Sequence, residues 1–273
     1  MPLMPAETPS TSEVASSVAP VLSGVERARQ AADGADKRNY VQAMFTSIAP
    51  RYDLLNHVLS MNIDKGWRKK ALKALAWTRV PAGRYLDLCA GTLDVGAMLS
   101  RQPGFTGFVV GADFALAMLQ HGANKASRNR LAPVAADALA LPLADSSFDG
   151  ALVAFGIRNV ADLDAGLRET RRLLRPGSRF VILEFSTPSS GIVRAFYHSY
   201  FHFVLPLVGR VVSGHKSAYT YLPMSVAKFP TCDALADRLR DAGFSNVTWQ
   251  QLTFGIAAIH VGEVPIQPTS PRT

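Results

Sequence analysis

The chain has 273 residues, 48% of them hydrophobic and 18% charged, enough to bury a core without disulfides or structural metals. Its two cysteines, Cys89 and Cys232, lie far apart and lack metal-ligand spacing, which argues against a disulfide framework or a zinc module and for a reducing, cytoplasmic compartment. Lys and Arg number 29 against 21 Asp and Glu, and the net +8 is spread along the chain rather than gathered in a run, so an anionic membrane surface is the expected partner and nucleic acid is not.

Residues 1–35 are rich in Ala, Ser, Pro and Thr. They carry no apolar signal core, and Glu7, Glu13 and Glu26 are out of place in a transit peptide, so they read as a disordered tail. The folded domain is expected over 36–263, with a second, proline-bearing tail over 264–273. It opens with a helical leader, 36–80. Val41, Met44, Phe45 and Ile48 share one helical face; Pro50 interrupts; Leu54, Leu55, Val58 and Leu59 mark a second helix and Ile63 to Trp77 a third. Pro81-Ala82-Gly83 closes the leader.

Strands and helices then alternate. Strands are predicted at Arg84–Cys89, Gly107–Ala112, Pro133–Ala136, Gly150–Phe155 and Arg179–Phe185. Helices are predicted near Val95–Ser100, Leu116–Ser127 and Leu163–Leu174, the last stopped by Pro176-Gly177. A helix over Cys232–Ala242 has Thr231 as its cap and Gly243 as its stop, and two final strands, Val247–Phe254 and Ile256–Val261, flank Gly255. This order predicts an α/β fold: a doubly wound, mostly parallel seven-stranded sheet, Rossmann-like, with an antiparallel C-terminal hairpin. Between residues 189 and 230 lies an insertion whose segment Ile192 to Val212 is almost wholly apolar or aromatic. Arg194, His198, His202 and Arg210 within it argue for a helix lining a cleft or lying on a membrane rather than crossing one.

The segment Tyr85 to Gly96, YLDLCAGTLDVG, reads as a strand, a small-residue turn at Ala90-Gly91-Thr92, and a helix start. A glycine turn lets a ligand approach the backbone, and the acid Asp113 at the end of the next strand can hold ribose hydroxyls. Asp137-Ala138, ending the third strand, would meet an adenine edge. Asp87 and Asp94 flank the turn and could reach the far end of the ligand, although Asp87 serves equally well as a loop cap. The pyrophosphate glycines of dinucleotide sites are missing, so a nucleoside such as S-adenosylmethionine fits better than NAD.

Beyond DLCAGTLDVG, the chain carries MFTSIAPRYDLLNHVLSMNIDKGWRKKAL (44–72), FDGALVAFGIRNVADLDAGLRETRRLLRPGSRFVILEFSTP (148–188) and YHSYFHFVLPLVGRVVSGHKSAYTYLPMSVAKFP (197–230). Together these closely resemble the ubiquinone/menaquinone biosynthesis C-methyltransferases, over roughly Asp36 to Gly262. The resemblance implies transfer of a methyl from S-adenosylmethionine to a ring carbon of a prenylated quinol, with demethylmenaquinol as the expected acceptor. It places the cofactor on Thr92, Asp113, Asp137 and Ala138. Two departures stand out: Leu93 where the family commonly has glycine, a bulky residue expected to reshape the pocket for the methionine end, and Ala154 where it often has serine, which would remove one hydroxyl contact.

The acceptor carbon becomes nucleophilic when its phenol ionises, and a phenol with a pKa near 10 needs help near neutral pH. Arg158 and Asn159, after the fourth strand, are candidates to stabilise the phenolate electrostatically; the alternative is that Arg158 pairs with an acid such as Asp162 and organises its loop. Tyr52-Asp53 would form a lid over the cofactor or simply pack a helix start. His198 and His202 share a helical face without a third metal ligand, so no metal is expected, and His198 is a secondary candidate for the phenol proton. Peripheral membrane association is expected and a homodimer stays open; the enzymatic alternative is methylation of a ubiquinone precursor or another lipid or phenolic small molecule, and a non-catalytic scaffold of a quinone-biosynthesis complex is the rival to an enzyme.

Overall fold

A computed structural model describes residues 23–32, 34, 36–53, 62–188, 191 and 216–266. Its centre is built from short apolar runs buried on both faces, the signature of parallel strands covered by helices. In β1 (Arg84–Leu88) every residue after Arg84 is buried. It pairs in parallel with β2 (Phe108–Asp113) on one side and β4 (Phe148–Ala154) on the other. Outside these lie β3 (Leu131–Ala135) against β2 and β5 (Leu174–Phe185) against β4, both parallel. β6 (Ser245–Leu252) and β7 (Ala257–Glu263) are joined by a turn over Thr253–Gly255 and run antiparallel to each other. The order is β3-β2-β1-β4-β5-β7-β6, so the hairpin inserts its second strand beside β5. The predicted seven-stranded α/β sheet with an antiparallel end is therefore what forms.

Helices cover both faces. On one, α3 (Ile63–Leu75) and α4 (Asp94–Ser100) bury Trp67, Leu72, Leu75, Val95 and Leu99 against Tyr85, Leu152 and Val181. On the other, α6 (Leu163–Leu173) and α8 (Cys232–Asp241) bury Leu167, Leu173, Leu235 and Leu239 against Leu86, Val110 and Phe180. Thr231 caps α8 by accepting the Ala234 N–H, and Gly243, at φ 90°, ends it, as the sequence predicts. The helix α5 (Leu116–Gly122) is shorter than the predicted Leu116–Ser127.

Three boundaries differ for physical reasons. The chain enters β5 at Leu174, because Leu174 and Ser178 are buried strand positions while Gly177, at φ 80°, supplies the bend; Pro176-Gly177 lies inside the strand and does not stop the helix. Residues 24–32, inside the stretch read as a tail, form α1 (Gly24–Ala32), whose Ala28 and Ala31 are buried against Val41, Met44 and Ile48 of α2 (Lys37–Ile48) and Tyr221 of α7 (Lys216–Lys228). At the other end, Val264 is buried and its backbone bonds to Gly177 and Ser178, so the folded chain runs past 263. The predicted helix at Leu54–Leu59 and the apolar run Ile192 to Val212 lie outside the described residues. Among the described residues no helix is long and apolar enough to cross a membrane.

Candidate functional site

A parallel sheet leaves its ligand crevice at the carboxyl ends of the strands, where the order reverses on either side of β1. Here β1, β2, β3 and β4 end around a cleft of about 690 Å³, roofed by Phe45 and Tyr52 from the leader. Its floor is made by the turn after β1. Cys89, Gly91 and Leu93 all take positive φ (51°, 52° and 64°), which coils the backbone tightly enough to aim N–H groups inward.

Asp113 is fixed from both sides. Its Oδ2 accepts the Gly91 N–H at 2.8 Å and its Oδ1 accepts the Ala115 N–H at 2.8 Å. Burial raises its pKa, and these two donors act in the opposite sense. Each oxygen keeps a second lone pair, so the side chain is oriented and still able to accept two vicinal hydroxyls. Asp137 caps its own turn through the Leu139 N–H and meets Arg38 of α2 at 3.0 Å. Ala138 and Ala154 give the cleft small, apolar walls where an aromatic base can lie flat.

Two predicted cofactor residues sit behind this surface. Asp87 is buried, and its Oδ2 accepts the Gly96 N–H at 2.8 Å, tying β1 to α4. Burial pushes its pKa up to about 8, against the opposing Gly96 N–H and the Arg68 charge. Of the two readings of Asp87, the contact seen is the loop cap. Thr92 is also buried. Its hydroxyl donates to Asp53 at 2.6 Å and accepts from Lys125 at 2.9 Å, and Lys125 bridges Asp53 and Asp94, each at 2.5 Å. The leader is thereby latched to the glycine turn next to Tyr52. Leu93 turns its side chain away from the cleft and onto the sheet, where a Cβ on Gly111 would lie 2.3 Å from its Cδ2. It therefore does not reshape the ligand surface.

Beyond β4 the chain makes a strained step. Phe155 has φ 60°, an uncommon value for an aromatic residue, and lines the cleft with Gly156 and Asn159. Phe155 packs with Trp67 and Phe185 in an aromatic cluster. Asn159 is buried and its Oδ1 has no hydrogen-bond partner. Arg158 points elsewhere. Its guanidinium donates to the Phe155 carbonyl at 2.6 Å and to Glu184 at 2.7 Å, with both side chains over nine-tenths buried, and it stacks 5.5 Å from the Phe185 ring centre. The acid paired with Arg158 is thus Glu184; Asp162, the expected partner, instead caps α6 through the Ala165 N–H. Arg158 is not part of the cleft wall.

Of the expected residues, then, the cleft gathers Tyr52, Gly91, Asp113, Asp137, Ala138, Ala154 and Asn159; Asp87, Thr92 and Arg158 stand behind it, and His198 lies outside the described residues. Among the described residues no cluster of His, Cys, Asp or Glu could hold a metal. Sequence reasoning missed Arg38 and Lys125, because neither sits in a motif and each acts on a partner distant in the chain.

A profile of the ubiE/COQ5 methyltransferase family matches residues 33–264. The chain belongs to this family. It is 49% identical over 225 residues to the demethylmenaquinone methyltransferase of Thermus thermophilus, covering 81% of this chain and all of that one. It is 42% identical over 232 residues to the ubiquinone/menaquinone biosynthesis C-methyltransferase UbiE of Geotalea daltonii, covering 84% of this chain and 97% of that one. A solved S-adenosylmethionine-dependent methyltransferase from Thermotoga maritima shares the fold at a TM-score of 0.55 and 18% identity, covering 81% of this chain and 98% of that one.

Proposed function

We propose that this member of the family transfers the methyl of S-adenosylmethionine to a ring carbon of a prenylated quinol, with demethylmenaquinol as the acceptor. The observation that carries this reading is Asp113, oriented by two backbone N–H groups at the mouth of a glycine turn, where its spare lone pairs can accept the hydroxyls of a ribose. Asp137 and Ala138 would meet the adenine, and Ala154 with Gly91 would flank the sulfonium end. When bound, the cofactor supplies an electrophilic methyl; the protein's task is to hold the acceptor carbon in line with it and to keep water out.

The acceptor would lie over Phe155 and Gly156, beneath Tyr52. There the Asn159 Oδ1, a buried acceptor without a partner, would receive the quinol hydroxyl and fix the ring. Arg158, committed to Glu184, would act by holding the Phe155–Asn159 step in its strained shape. An Arg remains protonated at neutral pH and is a poor base. Relatives named for demethylmenaquinone at 47% and 49% identity favour that acceptor, whereas a relative at 42% named for both quinones supports a ubiquinone precursor as the second reading. Incubating the protein with labelled S-adenosylmethionine and short-chain demethylmenaquinol or a demethylated benzoquinol decides between them. Labelled naphthoquinol alone supports the first reading, labelled benzoquinol alone the second. Cofactor binding without either product would make the protein a scaffold.

A further inference from the structure

Phe180 to Glu184 of β5 are all buried, and the last of them is an acid. By strand alternation Glu184 shares a face with Phe180 and Ile182, both packed in an apolar layer. Its side chain is 2% exposed and that of its partner Arg158 is 8% exposed. Stability does not explain two charges in such a place, because well-packed apolar residues in place of a buried ion pair often leave a fold as stable or more so. What apolar residues would not reproduce is the directed bonding of the pair.

The carboxylate is oriented by its own strand, since Oε1 accepts the Phe185 N–H at 2.9 Å. Oε1 also accepts from the Arg158 guanidinium at 2.7 Å, and Oε2 faces the Arg158 backbone N–H at 3.4 Å. The same guanidinium nitrogen donates to the Phe155 carbonyl at 2.6 Å. On its other side Phe155 is tied to β5 by its own N–H, which donates to the Leu183 carbonyl at 2.8 Å. Phe155 is thus gripped at both ends while it holds φ 60°. The grip at its carbonyl ends on Glu184.

What the grip holds is the acceptor side of the cleft. Phe155 and Asn159 line it, and the Asn159 Oδ1 has no partner within the protein. Glu184, like Arg158, is not part of the cleft wall. A misplacement of about 1 Å, even when it starts away from the chemistry, can cost roughly 100-fold in rate.

We propose that Glu184 is a positioning residue for methyl transfer, acting through Arg158 to fix the Phe155 ring and the Asn159 amide against the acceptor. The inference rests on the methyl-transfer reading and adds to it the source of the acceptor's alignment.

The test measures turnover of labelled S-adenosylmethionine with short-chain demethylmenaquinol per cofactor site. Sites are counted by calorimetric titration with S-adenosylhomocysteine, so unfolded protein does not enter. Glu184→Gln keeps an oxygen for the guanidinium and for the Phe185 N–H, and its kcat should stay within about five-fold of the wild type. Glu184→Leu should lose about 50-fold or more in kcat, with KM for the quinol and S-adenosylhomocysteine affinity each within about three-fold. Should the leucine, which leaves the arginine charge buried without its acid, prevent folding, Arg158→Leu/Glu184→Leu buries no charge and carries the test. Its kcat should match that of Arg158→Leu alone, because an acid that acts through Arg158 adds nothing once Arg158 is gone. A fall in melting temperature or in the number of sites with kcat per site unchanged would make Glu184 merely structural and overturn the proposal. A double variant about ten-fold slower than Arg158→Leu, or a glutamine variant as slow as the leucine one, would also overturn it. Wild-type protein that binds the cofactor and methylates no quinol refutes the methyl-transfer reading itself, whereas methylation by the wild type with full kcat in Glu184→Leu sinks this inference alone.

Discussion

Asp87 shows how one carboxyl can hold a motif together and set a pH limit. Buried beneath α4, it is held in its neutral form until about pH 8, whereas in the unfolded chain it ionises near pH 4. Between those values the folded state binds the extra proton, so its share of stability is full below pH 4 and is lost as pH rises through 8. Asp87→Asn keeps an oxygen for the Gly96 N–H and cannot ionise. Its melting temperature should fall less than that of the wild type from pH 4 to 8; parallel curves would refute the assignment. Leu93 poses the opposite balance. A left-handed backbone at a bulky residue costs about 1–2 kcal/mol, whereas losing a buried leucine costs about 2–5 kcal/mol. Leu93→Gly should therefore destabilise the protein by about 2 kcal/mol in urea unfolding and leave cofactor affinity unchanged, since the side chain faces Gly111 and not the ligand. The acids at the ends of β2 and β3 were legible from sequence because a strand's burial and its terminal polar residue are local facts. The conduct of Leu93 was not, because where its side chain turns depends on the space over Gly111 in the neighbouring strand.

Between elements, the leader is held down by charge. The Lys125 ammonium sits between Asp53 beside Tyr52 and Asp94 at the start of α4, and Arg38 of α2 reaches Asp137. These pairs are partly exposed and individually worth about 1 kcal/mol or less, so they suit a part that must open for ligand exchange. Lys125→Met removes the ammonium shared by Asp53 and Asp94 and should speed release of S-adenosylhomocysteine about five-fold in stopped-flow measurement. It should also flatten the salt dependence of that rate; an unchanged rate would show that the leader does not gate the cleft. None of this was readable from periodicity. The helices of the leader announce themselves by apolar spacing, but the partners of Arg38, Arg158 and Lys125 are set by which loops the sheet order brings to one edge.

Across the molecule, the chemistry collects at one rim and positive charge spreads over a flank. Lys65, Lys69, Lys70 and Lys73 are exposed on the outer side of α3. Trp67 of that helix bonds to Thr253, beside Phe254, which is 81% exposed at the β6–β7 turn. An aromatic side chain next to lysines suits the headgroup region of an anionic bilayer. Cosedimentation with phosphatidylglycerol vesicles should be strong at low salt and weaken as salt rises; Phe254→Ser should reduce it several-fold with methyl-transfer activity in detergent retained. Binding that ignores salt and the substitution would remove this flank as the contact. The overall architecture followed from alternating strand and helix patterns. The N-terminal helix α1 did not, since its apolar contacts are two alanines that gain meaning only against Tyr221.

The turn after β1 leaves a thiol on the wall of the cleft. Burial and the surrounding carboxylates hold Cys89 protonated far above the ordinary thiol range, so it should react sluggishly with iodoacetamide even though it faces the ligand space. Alkylation must then await excursions that admit reagent and water together, and its speed becomes a clock for the breathing of the roof. Mass spectrometry, which separates the Cys89 peptide from that of Cys232, should find labelling slowed by saturating nucleoside and hastened by Lys125→Met.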